Sequence, residues 1–371
     1  MRLIAALEEL EPGLEVEILL ARKHRPTSSA VPAHWKVRIG LPPDYFFNMS
    51  APKFWGSLAS GAWNVYRAAR RADLVHAIKD YPHNFAGAIG ARLARVPCIA
   101  TAHGTYSVQP LLDRRHAARA RWMYRRLFGL VSVSRYTARR LEQLLAPQDR
   151  PRGGWVVIPN AVQSEHYVQP RDLGGPRPWH GLSYTLGIGE LKERKGHHLA
   201  LAGWIQAAAR FPDLQHFIVG KSSADEYHRN LRAMAAAAGM EQRVHFLGNI
   251  SEDEKIDLLQ RARLFLHTPV TAEGGGFEGF GIVYLEAAAA GIPSIGTLDC
   301  GAEDAIVDGI TGRLVPQDAN SVAAALGEIL GDESLRTRFG VQGREHARRS
   351  PWEENARRVL ELYRRAMGER G

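Results

Sequence analysis

Residues 273–291 read EGGGFEGFGIVYLEAAAAG: glycines at 274, 275, 276, 279 and 281 lead straight into an apolar helical pattern over residues 282–290. A flexible loop that feeds a helix start leaves unpaired backbone N–H groups at the positive end of the helix dipole, and glycines let a ligand come close to that backbone. Such a start is a natural seat for phosphate, and diphosphate is the natural guess. Glu286 lies inside the helix between Leu285 and Ala287, on a turn that is apolar nearly all round. An unpaired carboxylate there would cost on the order of several kcal/mol, so it needs a partner. Two fit equally: the hydroxyl pair of a ribose, or a buried ion pair with one of the many arginines. Glu278, in the loop, reads by itself as an acid placed near a helix N-terminus for dipole reasons.

Outward from this segment, strand-like runs followed by helical patterns recur at residues 16–21, 74–78, 98–102 and 130–133. They resume at 183–188, 215–219, 244–247, 264–267 and 293–296. The alternation predicts an α/β protein with parallel sheets, and 371 residues suit two such domains with a cleft to hold a ligand. Residues 169–181, with Gly174, Gly175, Pro176 and Pro178, interrupt the pattern and read as a linker. The expected organisation is therefore a Rossmann-like domain over 1–168, the linker 169–181, a second domain over 182–349, and a C-terminal helix over 350–371. Ser251 with Glu254 reads as a capping box, while Ser350, Pro351 and Glu353 open the last helix. On that helix Trp352, Ala356, Val359, Leu360 and Tyr363 share one face, so it packs on a domain, the N-terminal one if the chain crosses back. A Rossmann-like unit should open with a strand and a Gly-rich turn, yet residues 3–10 are helical in pattern; the first strand and its phosphate loop are expected to be missing.

Composition narrows the class. The chain is 45% hydrophobic and 23% charged, as in ordinary globular proteins, and no apolar run approaches the ~20 residues of a membrane span. Glu8, Glu9 and Glu11 stand where a secretory signal would be apolar, and Cys98 and Cys300 have no metal or disulfide spacing, so a reducing cytoplasm is expected. The net charge of +9 is uneven: residues 1–170 hold 24 Lys and Arg against 12 Asp and Glu, and the rest 24 against 27. The first half calls for an anionic partner. No basic patch with interleaved stacking aromatics or known module supports nucleic acid. Residues 113–128 (DRRHAARARWMYRRLF) read either as a basic helix that lies on an anionic membrane or as a solvated helix whose stems cover the core.

Phe277-Glu278-Gly279-Phe280-Gly281 with Glu286 eight positions after Glu278 resembles the donor-site signature of glycosyltransferase family 4, the group 1 glycosyltransferases of GT-B fold. The resemblance runs in order through His103-Gly104, VSVSRYTARR (131–140), Ile158-Pro159-Asn160, GIGELKERKG (187–196) and DGITGRLV (308–315), and so spans nearly the whole chain. It implies two Rossmann-like domains facing across a cleft, the first taking the acceptor and the second a nucleotide sugar. It implies that Glu286 binds the ribose hydroxyls, and that Glu278 with the backbone of Gly279, Phe280, Gly281 and Ile282 holds the donor sugar and phosphate. By the same resemblance Lys195 neutralises the diphosphate, Gly189 belongs to the donor site and His103 contacts the transferred sugar. Read alone, Lys195 belongs to a solvated charge run and His103 is a hydrogen-bonded histidine at a strand end.

The family commonly has an arginine after the glycine of the 187–196 loop, where this chain has Glu190; Lys192 or Arg194 is expected to replace the missing charge. The implied reaction is retaining and metal-independent, no Asp-x-Asp or His cluster having metal spacing. A sugar passes to a hydroxyl of a glycan, polysaccharide or lipid-linked acceptor, in the cytoplasm or at the inner face of the membrane, and no cofactor is expected. The alternative is a catalytically impaired GT-B protein that binds nucleotide sugar or acts as a partner subunit, a reading motivated by Glu190 and by the missing first strand. A nucleotide-sugar epimerase is a third, disfavoured by the Glu278 to Glu286 signature.

Overall fold

The computed structural model describes residues 2–26, 31–44, 48–221, 226–272 and 274–368; Glu273, at the head of the glycine run, lies outside them. They form two compact units, one made of the chain up to Pro159 together with residues from Trp352 onward, the other of Asn160–Pro351.

The first unit contains α1 (Arg2–Leu10), β1 (Glu17–Ala21), β2 (Lys36–Leu41), α2 (Ala51–Ala69), β3 (Val75–Ala77), α3 (His83–Ala94), β4 (Cys98–Ala102), α4 (Thr105–Leu112), α5 (Ala117–Arg126), β5 (Gly129–Ser132), α6 (Arg135–Leu144) and β6 (Trp155–Val157). β1 and β2 pair in parallel as a two-stranded sheet, and a four-stranded parallel sheet runs β3-β4-β5-β6. Every residue of β4 and β5 is buried, the signature of parallel strands covered on both faces. α6 starts where the Ser134 side chain accepts the Thr137 N–H at 3.0 Å.

The second unit contains β7 (Ser183–Ile188), α7 (His197–Ala208), β8 (Leu214–Val219), α8 (Glu226–Ala237), β9 (Val244–Gly248), α9 (Glu252–Arg261), β10 (Leu264–Leu266), α10 (Ile282–Ala290), β11 (Ser294–Thr297), β12 (Gly312–Val315), α11 (Ala319–Gly331) and α12 (Glu333–Arg348). Its six parallel strands lie in the order β12-β11-β10-β7-β8-β9. Leu201, Trp204, Leu264, Leu266, Ile295 and Val322 pack the core between sheet and helices. The capping box of Ser251 and Glu254 opens α9.

Residues 169–181, read from sequence as a linker, group with the second unit, and the division falls earlier, between Pro159 and Asn160. Trp179 is buried and its indole N–H donates to Asp257 Oδ2 at 2.7 Å, with His180 Nε2 3.0 Å from the same oxygen. The glycines and prolines do make turns, but the tryptophan anchors them to α9.

The last helix, α13 (Trp352–Gly368), belongs to the first unit. Val359, Leu360, Leu362, Tyr363 and Ala366 pack against Ile99, Phe128, Val131 and Ile158 and against Ala6 and Leu7 of α1. The Tyr363 hydroxyl meets His76 Nδ1 at 2.7 Å, and Asn355 donates to the Pro159 carbonyl at 2.8 Å.

Candidate functional site

In the second unit the chain builds β7, β8 and β9 to one side, then returns to β7 to lay β10, β11 and β12 on the other. Strand order therefore reverses between β7 and β10, and the crevice outside the carboxyl ends at such a switch point is where open parallel sheets bind ligands. Gly189 to Lys195 follow β7, and His267 and Thr268 follow β10. Gly196 holds the two loops together. Its φ is +66°, and a Cβ there would fall 1.7 Å from the Thr268 carbonyl oxygen, so glycine alone fits. Gly189 is close-packed too, its would-be Cβ 3.4 Å from both His267 Cε1 and Lys195 Cδ.

Lys195, at the end of a short turn, forms an ion pair with Glu278 Oε2. Arg194 lies 3.7 Å from that same oxygen and His267 Nε2 3.8 Å from it. Burial pushes the Glu278 carboxyl up, but Lys195, His267 and Arg194 outweigh it and hold the group well below the ordinary carboxylate range. Glu278 is thus an anion. Its own carbonyl accepts the Gly301 N–H at 2.8 Å, which fixes the loop before α10. Gly281, at φ +78°, turns the chain into α10 and its carbonyl accepts the Tyr284 N–H at 3.0 Å; the earlier N–H groups of that first turn have no acceptor within the helix.

Glu286 sits on α10, 12% exposed, with Lys255 of α9 at 3.1 Å. The partner it required is thus an ion pair in this structure, with a lysine rather than an arginine. Lys255 also contacts Glu252 at 3.0 Å and lies 5.7 Å from the centre of the Tyr167 ring. On the β7 loop, Lys192 pairs with Glu190 at 2.7 Å, both side chains about half exposed. Of the two cations expected to replace the missing arginine, Arg194 is the one brought to Glu278.

In the first unit His103 follows β4 at the carboxyl edge, exposed to solvent. Its backbone N–H donates to Asp80 Oδ1 at 3.1 Å and its ring Nε2 to the Ile78 carbonyl at 2.7 Å. Burial pushes the Asp80 carboxyl up against the pull of His103 and Ser107. At the same edge Asp44 gathers Lys23 at 2.8 Å, His24 at 2.6 Å and Lys79.

The segment 113–128 folds largely into α5, and Met123, Leu127 and Phe128 are buried in the core rather than offered to a membrane. Its arginines stay outside: Arg119 lies 4.6 Å from the centre of the exposed Trp55 ring on α2. Trp63, two turns further along α2, is exposed as well.

Sequence reasoning missed His267 and Lys255. His267 directly follows a strand end, a position that could have marked it; Lys255 is 31 residues from Glu286, a separation with no helical or strand period.

Comparison with known proteins matches the chain to two family descriptions, Glycosyl transferases group 1 over residues 180–346 and Glycosyl transferase 4-like domain over residues 1–161. It is 30% identical over 276 residues to phosphatidyl-myo-inositol mannosyltransferase of Mycobacterium leprae, covering 73% of this chain and 68% of that protein. The protein of the same name from Mycolicibacterium smegmatis is 29% identical over 282 residues, covering 76% and 68%. Among solved structures, Anabaena HepE in complex with UDP and glucose superposes with a TM-score of 0.71 at 21% identity, over 88% of this chain and 86% of that one, a likeness of fold. With two parallel-sheet units, the glycine-led helix at a switch point and these matches over both halves, the chain belongs to the group 1 glycosyltransferases of family 4, with the GT-B fold.

Proposed function

We propose that the chain is a retaining, metal-independent glycosyltransferase that moves a sugar from a nucleotide-diphosphate sugar to a hydroxyl of a glycan, polysaccharide or lipid-linked acceptor. The observation that carries this reading is the pairing of Lys195 and Arg194 with Glu278 at the switch point, beside the N-terminus of α10. Cations and free amides suit a diphosphate, and the adjacent buried carboxylate suits sugar hydroxyls. Glu286 binds the ribose diol in this scheme, with Lys255 as its cationic neighbour. The names of the mycobacterial relatives favour a lipid-linked acceptor, and the UDP and glucose bound by HepE favour a nucleotide-sugar donor.

In the reaction the bond from the anomeric carbon to the diphosphate oxygen breaks while the acceptor oxygen bonds to that carbon on the same face. The acceptor proton passes to the departing phosphate oxygen, so no protein base is needed. Lys195, Arg194 and the backbone of Gly279, Phe280, Gly281 and Ile282 stabilise the growing negative charge, the work a metal does elsewhere. His103, its Nε2–H committed to Ile78, offers Nδ1 as an acceptor for a sugar hydroxyl. The acceptor is met at the inner face of the cytoplasmic membrane, through the exposed Trp55 and Trp63 and the neighbouring arginines.

A panel of UDP-, GDP- and ADP-sugars with candidate acceptors, scored for nucleotide release with and without chelator, tests the proposal, with Glu278→Ala as the inactive control. Turnover that survives chelation and gives product of unchanged anomeric configuration is expected. Donor binding without turnover in every combination favours the impaired reading, in which Glu190, tied to Lys192, leaves the diphosphate under-neutralised.

A further inference from the structure

His267 is buried at the carboxyl end of β10, and neither of its ring nitrogens has a hydrogen-bond partner among the described residues. Buried polar groups without partners are rare in folded proteins and call for a physical reason. The neighbours supply none: the His197 ring is 6.0 Å away centre to centre, Phe265 is apolar, and the Tyr284 hydroxyl is committed to the carbonyl of His267 itself at 2.6 Å. Among the described residues the complementary group in reach is Glu278, whose Oε2 lies 3.8 Å from Nε2. That oxygen is already held by Lys195, with Arg194 at 3.7 Å.

If Lys195 serves the donor diphosphate, as the reading above requires, Glu278 must give up its closest cation while only 10% exposed. A carboxylate so little hydrated needs a replacement donor, and the imidazole nitrogen is about 0.6 Å beyond hydrogen-bonding range. We propose that His267 is a positioning residue that takes over Glu278 when Lys195 turns to the diphosphate, holding Oε2 so that the rest of the carboxylate stays turned to the sugar hydroxyls. Its burial favours the neutral ring, which still has one N–H to give. The inference rests on the donor-site reading and adds a division of labour: Lys195 answers to the diphosphate, His267 to Glu278.

The division is testable by calorimetric binding of matched pairs, GDP-mannose with GDP, UDP-glucose with UDP and ADP-glucose with ADP, to the whole chain and to His267→Leu and His267→Asn. His267→Leu should bind the nucleotide sugar and the free diphosphate each about tenfold more weakly, because Lys195 leaves Glu278 in both complexes, and the loss should disappear in a Glu278→Gln background, where no carboxylate needs a donor. His267→Asn, which keeps an N–H donor, should recover most of the loss. The same loss in the Glu278→Gln background would mean that His267 only packs, and unchanged affinity for both ligands would mean that Glu278 needs no second partner; either result overturns the inference. Failure of the unaltered chain to bind any of the six ligands would instead overturn the donor-site reading, and this inference with it.

Discussion

At the residue scale the β7 loop separates two neighbouring cations that look interchangeable in sequence. Lys192 is spent on Glu190 at the surface, whereas Arg194 reaches the Phe277 carbonyl at 3.5 Å and lies near Glu278. Arg194→Ala should therefore weaken nucleoside-diphosphate binding about tenfold, and Lys192→Ala by less than about twofold, in the same calorimetric assay. Equal effects would remove the distinction. Gly196 makes a second prediction. Any side chain there meets the Thr268 carbonyl and must adopt a left-handed backbone, so Gly196→Ala should lose at least about 2 kcal/mol in urea unfolding. Nucleotide affinity should fall with it, because Lys195 is the adjacent residue. The partners of these groups were not legible in sequence: Glu278 is 83 residues from Lys195, and nothing in either segment's spacing refers to the other.

At the scale of elements, legibility follows burial. β4 and β7 coincide with the largely apolar runs that announced them, because strands covered on both faces are near-continuously apolar. β2 went unannounced, since Lys36 and Arg38 break its apolar character and half of it is exposed. β6 and β12 also went unannounced, the second because Gly312 and Arg313 break its apolar character. α13 was read as a helix with the apolar face it in fact buries, but the contact between Tyr363 and His76 was not foreseeable. Burial holds that imidazole down at about 4, below its usual value of 6.5. As pH falls past 6.5 the unfolded chain takes up the proton first, so the stability linked to His76 is whole above that pH and is lost between there and about 4. Between pH 6.5 and 5 the loss should reach at most about 2 kcal/mol, and His76→Asn should flatten the pH dependence of unfolding by that amount. His197 and His216, each pushed down to about 3 by burial, add slopes of the same sign in the second unit.

At the scale of the whole molecule the charge asymmetry gains a location. The chain up to residue 170 carries twice as many basic as acidic residues, and α2 within it has no acidic residue while exposing Trp55 and Trp63. Among the described residues no helix is long and apolar enough to cross a membrane. The protein should sediment with anionic vesicles at low salt, release at moderate salt, and ignore zwitterionic vesicles. Replacing both tryptophans by serine should abolish most of this binding. Sedimentation that is absent in every condition would remove the membrane from the proposed function.

The return of α13 to the first unit also has a consequence for synthesis. A ribosome delivers the strands of that unit first and the helix that closes their core last, with all of Asn160–Pro351 made in between. The second unit is sequence-continuous and can fold as it emerges, while Ile99, Phe128, Val131 and Ile158 wait for α13. Nascent chains halted before residue 352 would expose that apolar surface, which makes the first-made half of the protein the last to mature and the one most in need of a chaperone.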